Sequence, residues 1–270
     1  REPLERARAA ILMSGTIPPG DYAGEVLGVR RERGFLDAEL AFGVRGVGSY
    51  YSVVVADVTT AFRSRGPRMY DAIAERVSVI ARGLPGVKLA VYPSYEVMKA
   101  IVERLPLDLE LVVEERGTSM EEVEEKVLRL EGEALVNAVA GGKLVEGVEI
   151  VDYEGQNLVS TVIVVGVPFP QPDDYTRRHL EVLTARLGPR RARELVYLAQ
   201  TAIKVRQALG RALRSPEDKA AYFLLDYRYL RRDIKSLLNI RYNRVVRGLE
   251  ELVRSVERAA QALKATPKGA

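Results

Sequence analysis

The 270-residue chain contains no cysteine, no tryptophan and a single histidine. The absence of cysteine excludes disulfide bonds, thiolate zinc sites and iron–sulfur ligands from this sequence, and one imidazole leaves little for a histidine metal site. No metal ligands are therefore expected, and His179 is expected to face solvent or cap a helix. Any chemistry must rely on arginine, lysine, carboxylates, hydroxyls and backbone amides.

Long hydrophobic runs are also missing, because no stretch approaches the roughly 20 apolar residues that a membrane span requires. The chain begins REPLERAR, without an initiator Met or a signal-peptide core, so we expect a soluble fragment of a longer protein with no membrane partner. The formal charge of +4 and the pI of about 9.2 permit a nucleic-acid partner without requiring one. Abundant Arg and Glu suit a prokaryotic cytoplasm, that of a thermophilic archaeon included.

Short β-rich apolar runs alternate with helical patterns from about Val53 onward, which is typical of a parallel sheet with crossover helices. The predicted strands are 9–14, 52–58, 87–92, 107–113, 135–140, 161–167 and 221–226. The predicted helices are 67–81, 95–105, 120–130, 173–187 and 192–214, and Ser119 and Glu122 form a capping-box pattern before the third. Residues 17–51 are Gly-rich and aperiodic, which predicts a connector that leans on a neighbouring domain.

The last part of the chain has a helical pattern with one apolar stripe. Its members are Val245, Leu249, Leu252, Val256, Ala259 and Leu263. This spacing predicts a helix that packs on another element. The basic residues after Asp226 either line an exit for a single strand or keep the surface soluble.

The segment QALGRALR is the most informative local pattern. In a helix of about 100° per residue, one narrow stripe carries Gln207, Gly210, Arg211 and Arg214. Two guanidinium groups one turn apart suit a γ-phosphate whose charge grows during transfer, because guanidinium is planar, always charged and bidentate. The glycine lets another surface approach closely, and Gln207 is placed to orient the attacking water. From spacing alone, a surface helix with solvated arginines is the favoured explanation of the pattern.

Other segments, taken in order, carry a resemblance to a known family. They are MSGTIPP (13–19), VTTAFRSR (58–65), VYPSY (91–95), GGKLVEGVEI (141–150), VVGVPFPQP (164–172), QALGRALR (207–214) and LLDYRY (224–229). In this order they resemble the XPD/DinG family of superfamily 2 helicases. MSGT corresponds to the family's motif III, VYPSY to motif IV, GGKLVEGVEI to motif V and QALGRALR to motif VI.

The resemblance implies an α/β fold: a RecA-like three-layer domain with a mostly parallel sheet, plus a C-terminal helical extension. Residues 1–17 would be the end of the first motor lobe, 18–51 the connector, 52–229 the second RecA-like lobe and 230–270 the extension. The strand at 9–14 would belong to the sheet of the first lobe and would be disordered or mispaired without it.

The implied function is that of the C-terminal half of an ATP-dependent DNA helicase that acts in repair. ATP would lie between two lobes, and the N-terminal lobe would bind the phosphates and Mg²⁺ and, in XPD-like members, carry an iron–sulfur cluster. No GxxxxGK[ST] occurs here, because Asn137 replaces the first glycine and Leu144 the hydroxyl residue. A DEAH-like box is missing too. The chain alone should therefore bind no cofactor and be inactive.

The expected partners are single-stranded or forked DNA and the N-terminal motor lobe, in a full-length enzyme that is a monomer. Such helicases bind strands through phosphates and base stacking, so no sequence-specific readout is implied. The alternative is a non-catalytic RecA-like module that binds nucleic acid or serves as a scaffold.

The resemblance also assigns roles to residues. Arg211 and Arg214 would be arginine fingers, with Gln207 as the contact to water or phosphate. Nucleotide contacts would come from Gly210, Glu146, Gly147 and Glu149, and Glu149 stands where the family usually has Asp. Lobe coupling would involve Ser14, Gly15 and Thr16, and DNA would be contacted by Ser94, Tyr95, Lys143 and Arg65.

Simpler roles stay open for several of these residues. Ser94 is a good helix N-cap, and Tyr95 either stacks on a base or packs beneath its helix. Arg65 contacts DNA, the connector or solvent alone. The GGK loop is a phosphate-binding loop or a solvated turn, and Ser14 and Thr16 also suit an ST-turn.

Overall fold

The computed structural model describes residues 4, 6–14, 16, 22–28, 34, 36, 48–115, 117, 119–146 and 150–264. Within these residues the chain forms one sheet, with strands β1 (Ser49–Val55), β2 (Val87–Tyr92), β3 (Leu111–Val113), β4 (Leu135–Val139), β5 (Val159–Val165), β6 (Lys219–Leu225) and β7 (Arg244–Val246). The order across the sheet is β3-β4-β2-β5-β6-β1-β7. All neighbouring strands are parallel, which confirms the predicted α/β fold.

The strands lack an inside–outside alternation because helices cover both faces of the sheet. Every residue of β2 and of β4 is buried. Asn137 is the polar exception in β4, and its side chain is satisfied there. It accepts a hydrogen bond from the Tyr92 hydroxyl at 2.9 Å and donates to the Leu135 carbonyl at 2.9 Å.

The helices form layers on the two faces. Their bounds are α1 (Tyr22–Leu27), α2 (Pro67–Gly83), α3 (Tyr95–Val102), α4 (Met120–Arg129), α5 (Lys143–Glu146), α6 (Asp174–Leu187), α7 (Pro189–Arg193), α8 (Gln200–Leu209), α9 (Arg232–Leu238) and α10 (Leu249–Lys264), with a π-helical segment (Glu194–Ala199) between α7 and α8. Helices α2, α3 and α10 share one core with the sheet, and α4, α5, α8 and α9 share the core on the other face. Among the described residues, no helix is long and apolar enough to cross a bilayer.

Side-chain caps begin two of these helices, and the first of the two was predicted. The Ser119 hydroxyl accepts from the Glu122 amide, and the Glu122 carboxylate accepts from the Ser119 amide, so α4 begins with the predicted capping box. The Asp173 carboxylate accepts from the Thr176 amide at 2.7 Å and caps α6. His179 lies within α6, where its ring makes a tilted contact with Tyr175.

The N-terminal segment departs from the predictions. Residues 9–14 form no strand, and their side chains are exposed. A strand needs a neighbour for its backbone groups, and residues 9–14 pair with no strand of the described sheet, as expected for a segment whose neighbours would lie in the sheet of the first lobe. The aperiodic stretch 17–51 contains α1, which was not predicted, and its last residues begin β1.

The C-terminal segment is more than a helix. Residues 244–246 form β7, which pairs with β1, and α10 packs on α2, β1 and β6. Val245 was predicted to start the apolar stripe of the last helix, but it lies in β7 and is 40% exposed. The stripe therefore begins at Leu249. Val245 and Val246 are β-branched, and an open position beside β1 favours their pairing in the sheet.

Candidate functional sites at the two edges of the sheet

All strands point the same way, so the sheet has two chemically different edges. We call the edge where the strands begin the amino edge, and the edge where they end the carboxyl edge. The loops at the carboxyl edge follow the strands, and ligands of parallel sheets usually bind there. The segment QALGRALR precedes β6 and therefore lies at the amino edge.

A cavity of about 310 Å³ opens at the amino edge. It is lined by Thr16, Tyr50, Arg206, Gln207, Leu209, Gly210, Arg211, Arg214, Tyr222 and Ile240. The four residues of the predicted stripe therefore share one cavity with Thr16, which was assigned to lobe coupling. The hydroxyl of Ser14 lies 3.3 Å from that of Thr16, while Gly15 lies outside the described residues.

The predicted helix through Arg214 is wrong, because α8 ends at Leu209. The chain then turns: the Gly210 amide donates to the Arg206 carbonyl at 2.9 Å and the Arg211 amide to the Ala208 carbonyl at 3.1 Å. Arg211 and Arg214 reach the cavity because the chain turns after Leu209, and not because they lie on one face of a helix.

Tertiary contacts explain why the helix stops. The Tyr222 hydroxyl donates to the Leu209 carbonyl at 3.1 Å, and burial raises the pKa of Tyr222, so this donor stays protonated. The Asp218 carboxylate accepts from the amides of Arg214 at 2.6 Å and Ser215 at 2.8 Å. The last carbonyl of α8 and the amides that follow thus have partners outside a helix.

Half of the cavity lining was not predicted from the sequence, namely Tyr50, Arg206, Leu209, Tyr222 and Ile240. Arg206 adds a third guanidinium to its lining, although it lies off the predicted stripe. Tyr50 stacks on Tyr222 with ring centroids 5.0 Å apart, and its hydroxyl accepts from the Arg241 amide at 3.1 Å. A signal for Arg206 was present in the sequence, since it directly precedes QALGRALR. Nothing local identified Tyr50, which lies 157 positions before Gln207 in the numbering.

The GGKLVEGVEI segment extends from the carboxyl edge toward the amino edge. Its Gly147 and Glu149 lie outside the described residues. Glu146 is exposed near Gly141 and Lys204 and does not line the amino-edge cavity. The segment that follows reaches the cavity, because the Asn157 side chain donates to the Arg211 carbonyl at 3.0 Å.

The four residues assigned to DNA all lie at the carboxyl edge. Ser94 caps α3 and accepts from the Val97 amide at 3.3 Å. Tyr95 is half-buried and packs against the core formed by α2, α3 and α10, while Lys143 is exposed at the start of α5. Arg65 donates to the Thr60 carbonyl at 3.0 Å.

Two buried carboxylates at the carboxyl edge were missed by sequence reasoning. Glu114, 3% exposed, accepts from the Val139 amide at 2.9 Å. A side chain at Gly142 would begin 2.6 Å from both Glu114 oxygens, so only glycine fits at this point of the GGK loop. An acidic residue directly after a predicted strand was the available signal for this site.

The second carboxylate belongs to Asp226, which has no exposed surface. It accepts from the Thr59 hydroxyl at 2.8 Å, the Thr60 amide at 3.0 Å and the Arg228 guanidinium at 2.7 and 2.8 Å. Arg228 also donates to the Thr60 hydroxyl at 3.1 Å and lies over the Phe169 ring. The carboxylate thus has a guanidinium and several hydrogen-bond donors as partners.

A tyrosine and a glycine complete this network. The Tyr229 hydroxyl donates to the Gly166 carbonyl at 2.7 Å, and burial raises the pKa of Tyr229. Gly166 has φ +73°, and a Cβ there would lie 1.9 Å from the Thr60 hydroxyl oxygen. Three of the family-like segments, VTTAFRSR, VVGVPFPQP and LLDYRY, therefore interlock at the carboxyl edge.

Comparisons with known proteins identify the family. The family model for the helicase C-terminal domain matches residues 77–242. The ATP-dependent DNA helicase XPD of Sulfolobus acidocaldarius is 34% identical over 222 residues, which cover 81% of this chain and 39% of that protein. A regulator of telomere elongation helicase 1 homolog from Drosophila melanogaster is 27% identical over 180 residues, covering 60% of this chain and 18% of that protein.

Solved structures give the same result. An XPD helicase structure matches with a TM-score of 0.74 and 32% identity, over 86% of this chain and 42% of that one. The structure of S. tokodaii Xpd4 matches with a TM-score of 0.65 and 25% identity, over 91% of this chain and 46% of that one. The chain thus spans less than half the length of these relatives. The resemblance stated from the sequence is confirmed, and the chain belongs to the helicase C-terminal domain family, with an XPD-like RecA fold.

Proposed function

We propose that this chain is the second motor lobe of an ATP-dependent DNA helicase and that the amino-edge cavity is its half of the ATP site. The observation that supports this proposal is the convergence of Gln207, Gly210, Arg211 and Arg214 on one open cavity. A purely solvated arginine surface would not need a turn that brings these groups together.

The chemistry would be transfer of the γ-phosphoryl group to water. The water oxygen bonds to phosphorus as the bond to the bridging oxygen of ADP breaks, and negative charge develops on the transferred group and the leaving oxygen. Arg211 and Arg214 would neutralise that charge from this side, with Gln207 orienting the water or a phosphate oxygen. Phosphate and Mg²⁺ binding would come from the N-terminal lobe.

Thr16 supports the coupling assignment. It lies in the cavity beside the proposed fingers, and the Thr16 amide donates to the Ser14 hydroxyl at 3.2 Å. A nucleotide in the cavity would therefore contact both the motif VI turn and the segment that enters from the first lobe. This contact is a direct route from nucleotide state to lobe position.

DNA would bind at the carboxyl edge through Ser94, Tyr95, Lys143 and Arg65. The Ser94 oxygen accepts from Val97, which leaves the hydroxyl proton to donate to a phosphate. Lys143 is exposed beside the glycines of the GGK loop, where a strand backbone can approach. The nucleotide and the strand would thus occupy opposite edges of one sheet.

The decisive experiment measures ATP turnover of Arg211→Ala in the complete helicase that carries this chain and its N-terminal lobe. We expect kcat to fall by about 10³- to 10⁵-fold, the usual loss on removing an arginine finger, with single-strand affinity unchanged. Arg254→Ala is the matched control, because Arg254 lies exposed on α10 at the face away from the cavity. Turnover retained by Arg211→Ala would rule out the finger assignment.

A further inference from the structure

The short helix α1 docks on the lobe through both polar and apolar contacts. The Arg191 guanidinium binds the Glu25 carboxylate at 2.5 and 3.1 Å, and the Gln200 side chain donates to the Tyr22 hydroxyl at 2.5 Å. Arg186 donates to the Glu25 carbonyl at 3.0 Å. The hydrogen bond to Glu25 raises the pKa of Arg191, consistent with a strong pair.

An apolar cluster lies under these polar contacts. Tyr22 and Val26 of α1 pack on the buried side chains of Leu183, Ala192, Leu195 and Val196. This cluster is separate from the two cores that flank the sheet. The connector is therefore held by charge-assisted hydrogen bonds and by hydrophobic burial at one place on α6 and α7.

The surface under α1 includes the first half of a single helical element, residues 189–209. Helix α7, the π-helical segment and α8 follow one another without a break, since Glu194 and Gln200 keep right-handed helical dihedrals at the junctions. We call this element the strut. Its far end carries Gln207 and leads directly into the turn with Arg211 and Arg214.

The π-helical segment lies beneath α1, because the contacts of α1 run from Arg191 before the segment to Gln200 after it. Glu194, at its start, also pairs with Arg191 at 2.9 Å, so the α1 contact reaches into the segment itself. The Thr201 hydroxyl, two residues past the end of the segment, is buried without a hydrogen-bond partner. π-helical turns interrupt the regular bonding of a helix and are frequent at functional positions. This segment is where a shift of α1 would change the register of α8.

We infer that α1 is a clamp on the strut and that Glu25 and Tyr22 are positioning residues for the motif VI turn. The inference rests on the proposed function, since it concerns how that turn is held for ATP hydrolysis. Thr16 lies in the cavity at one end of the strut, and α1, only a few residues later, holds the strut from Arg191 to Gln200. Movement of the connector on lobe closure would therefore act on the strut both at the cavity and beneath α1.

The test uses Glu25→Arg, which places a cation against Arg191, and the double variant Glu25→Arg/Arg191→Glu, which restores the pair with reversed polarity. Arg177→Glu is the control, because it breaks an exposed pair with Asp174 on α6 that does not include a residue of α1. The first readout is amide hydrogen exchange of the 270-residue chain. We expect Glu25→Arg to raise exchange over residues 194–214 by about tenfold, while α10 stays unchanged.

The second readout is ATP turnover of the complete helicase. Glu25→Arg should lower kcat by about tenfold with little change in KM, because the fingers are misplaced while binding persists. The double variant should recover most of both losses. Exchange and kcat equal to those of Arg177→Glu, or a double variant no better than Glu25→Arg, would overturn the clamp.

These results are separable from a failure of the proposed function. If Arg211→Ala keeps its turnover, the finger assignment fails whatever α1 does. If Arg211→Ala loses turnover but Glu25→Arg changes neither exchange nor kcat, only the clamp fails.

Discussion

At the carboxyl edge, the Asp226 carboxylate has no exposed surface and bonds to Thr59, Thr60 and Arg228, whereas at the amino edge three arginines line a cavity that is open to solvent. The first arrangement finds its partners within one chain. The second brings three guanidinium groups to a surface that a ligand can reach.

This difference predicts which property a substitution at each edge should change, the stability of the fold or the turnover of ATP. A change at the interlocked carboxyl edge should lower the free energy of unfolding. A change at the amino edge should leave folding almost intact and remove turnover, with the Arg211→Ala loss as the largest effect. Three further substitutions test this contrast between the two edges.

Gly166→Ala should give the largest loss of stability, about 3 kcal/mol, because left-handed strain adds to an overlap with Thr60. Denaturant unfolding of the 270-residue chain measures it. Gly155→Ala is the control, since Gly155 also has positive φ but nothing lies within 4 Å of a Cβ there. It should cost about 1 kcal/mol, the strain alone. Equal losses in both variants would show that the Thr60 contact is not restrictive.

Lys143→Ala should have an intermediate effect, seen in binding. If Lys143 contacts one phosphate, the slope of log affinity against log salt for a single strand should fall in magnitude by about 0.7. Fluorescence anisotropy with a labelled oligothymidine over a salt series measures this slope. Arg254→Ala, with the same loss of charge on the opposite face, should keep the parent slope. If Lys143→Ala and Arg254→Ala give the same salt slope, Lys143 does not contact the strand.

Gly210→Ala should have the smallest effect on stability, within about 0.5 kcal/mol. Gly210 has φ −64°, and a Cβ would meet only the carbonyl oxygens of its own helix, at 3.3 and 3.6 Å. The same variant should lower ATP turnover in the complete helicase if this glycine faces a nucleotide. A large loss of stability instead would mean that the amino edge is as tightly built as the carboxyl edge.

The sequence predicted most of the sheet because period and composition are local properties. Residues 87–92 were predicted as β2, and the other strands from 49 onward, β7 excepted, were found within a few residues. The missed elements depend on distant partners. Strand β7 exists because β1 leaves an open position, and α1 is held by α6, α7 and Gln200. Helical periodicity continued through Arg214, but Tyr222 and Asp218 gave the end of α8 other partners.

The sequence predicted which residues belong to the candidate site, but it did not predict how they are arranged in space. Spacing could not separate arginine fingers from a solvated helix, and the family resemblance supplied the roles, which stay predictions for Arg211, Arg214 and Gln207. Arg206 and Tyr50 entered the cavity only through the turn and the packing of β1 on β6.

The sequence by itself determined the class of fold, the order of the strands along the chain and the family, because each depends on local pattern or on segments read in order. Tertiary structure alone decided which residues meet. It ended α8 at Leu209, placed QALGRALR and VYPSY at opposite edges, and buried Asp226 against Thr59. The physical reason is that hydrogen-bond satisfaction and burial are settled between segments far apart in sequence, where local periodicity carries no information.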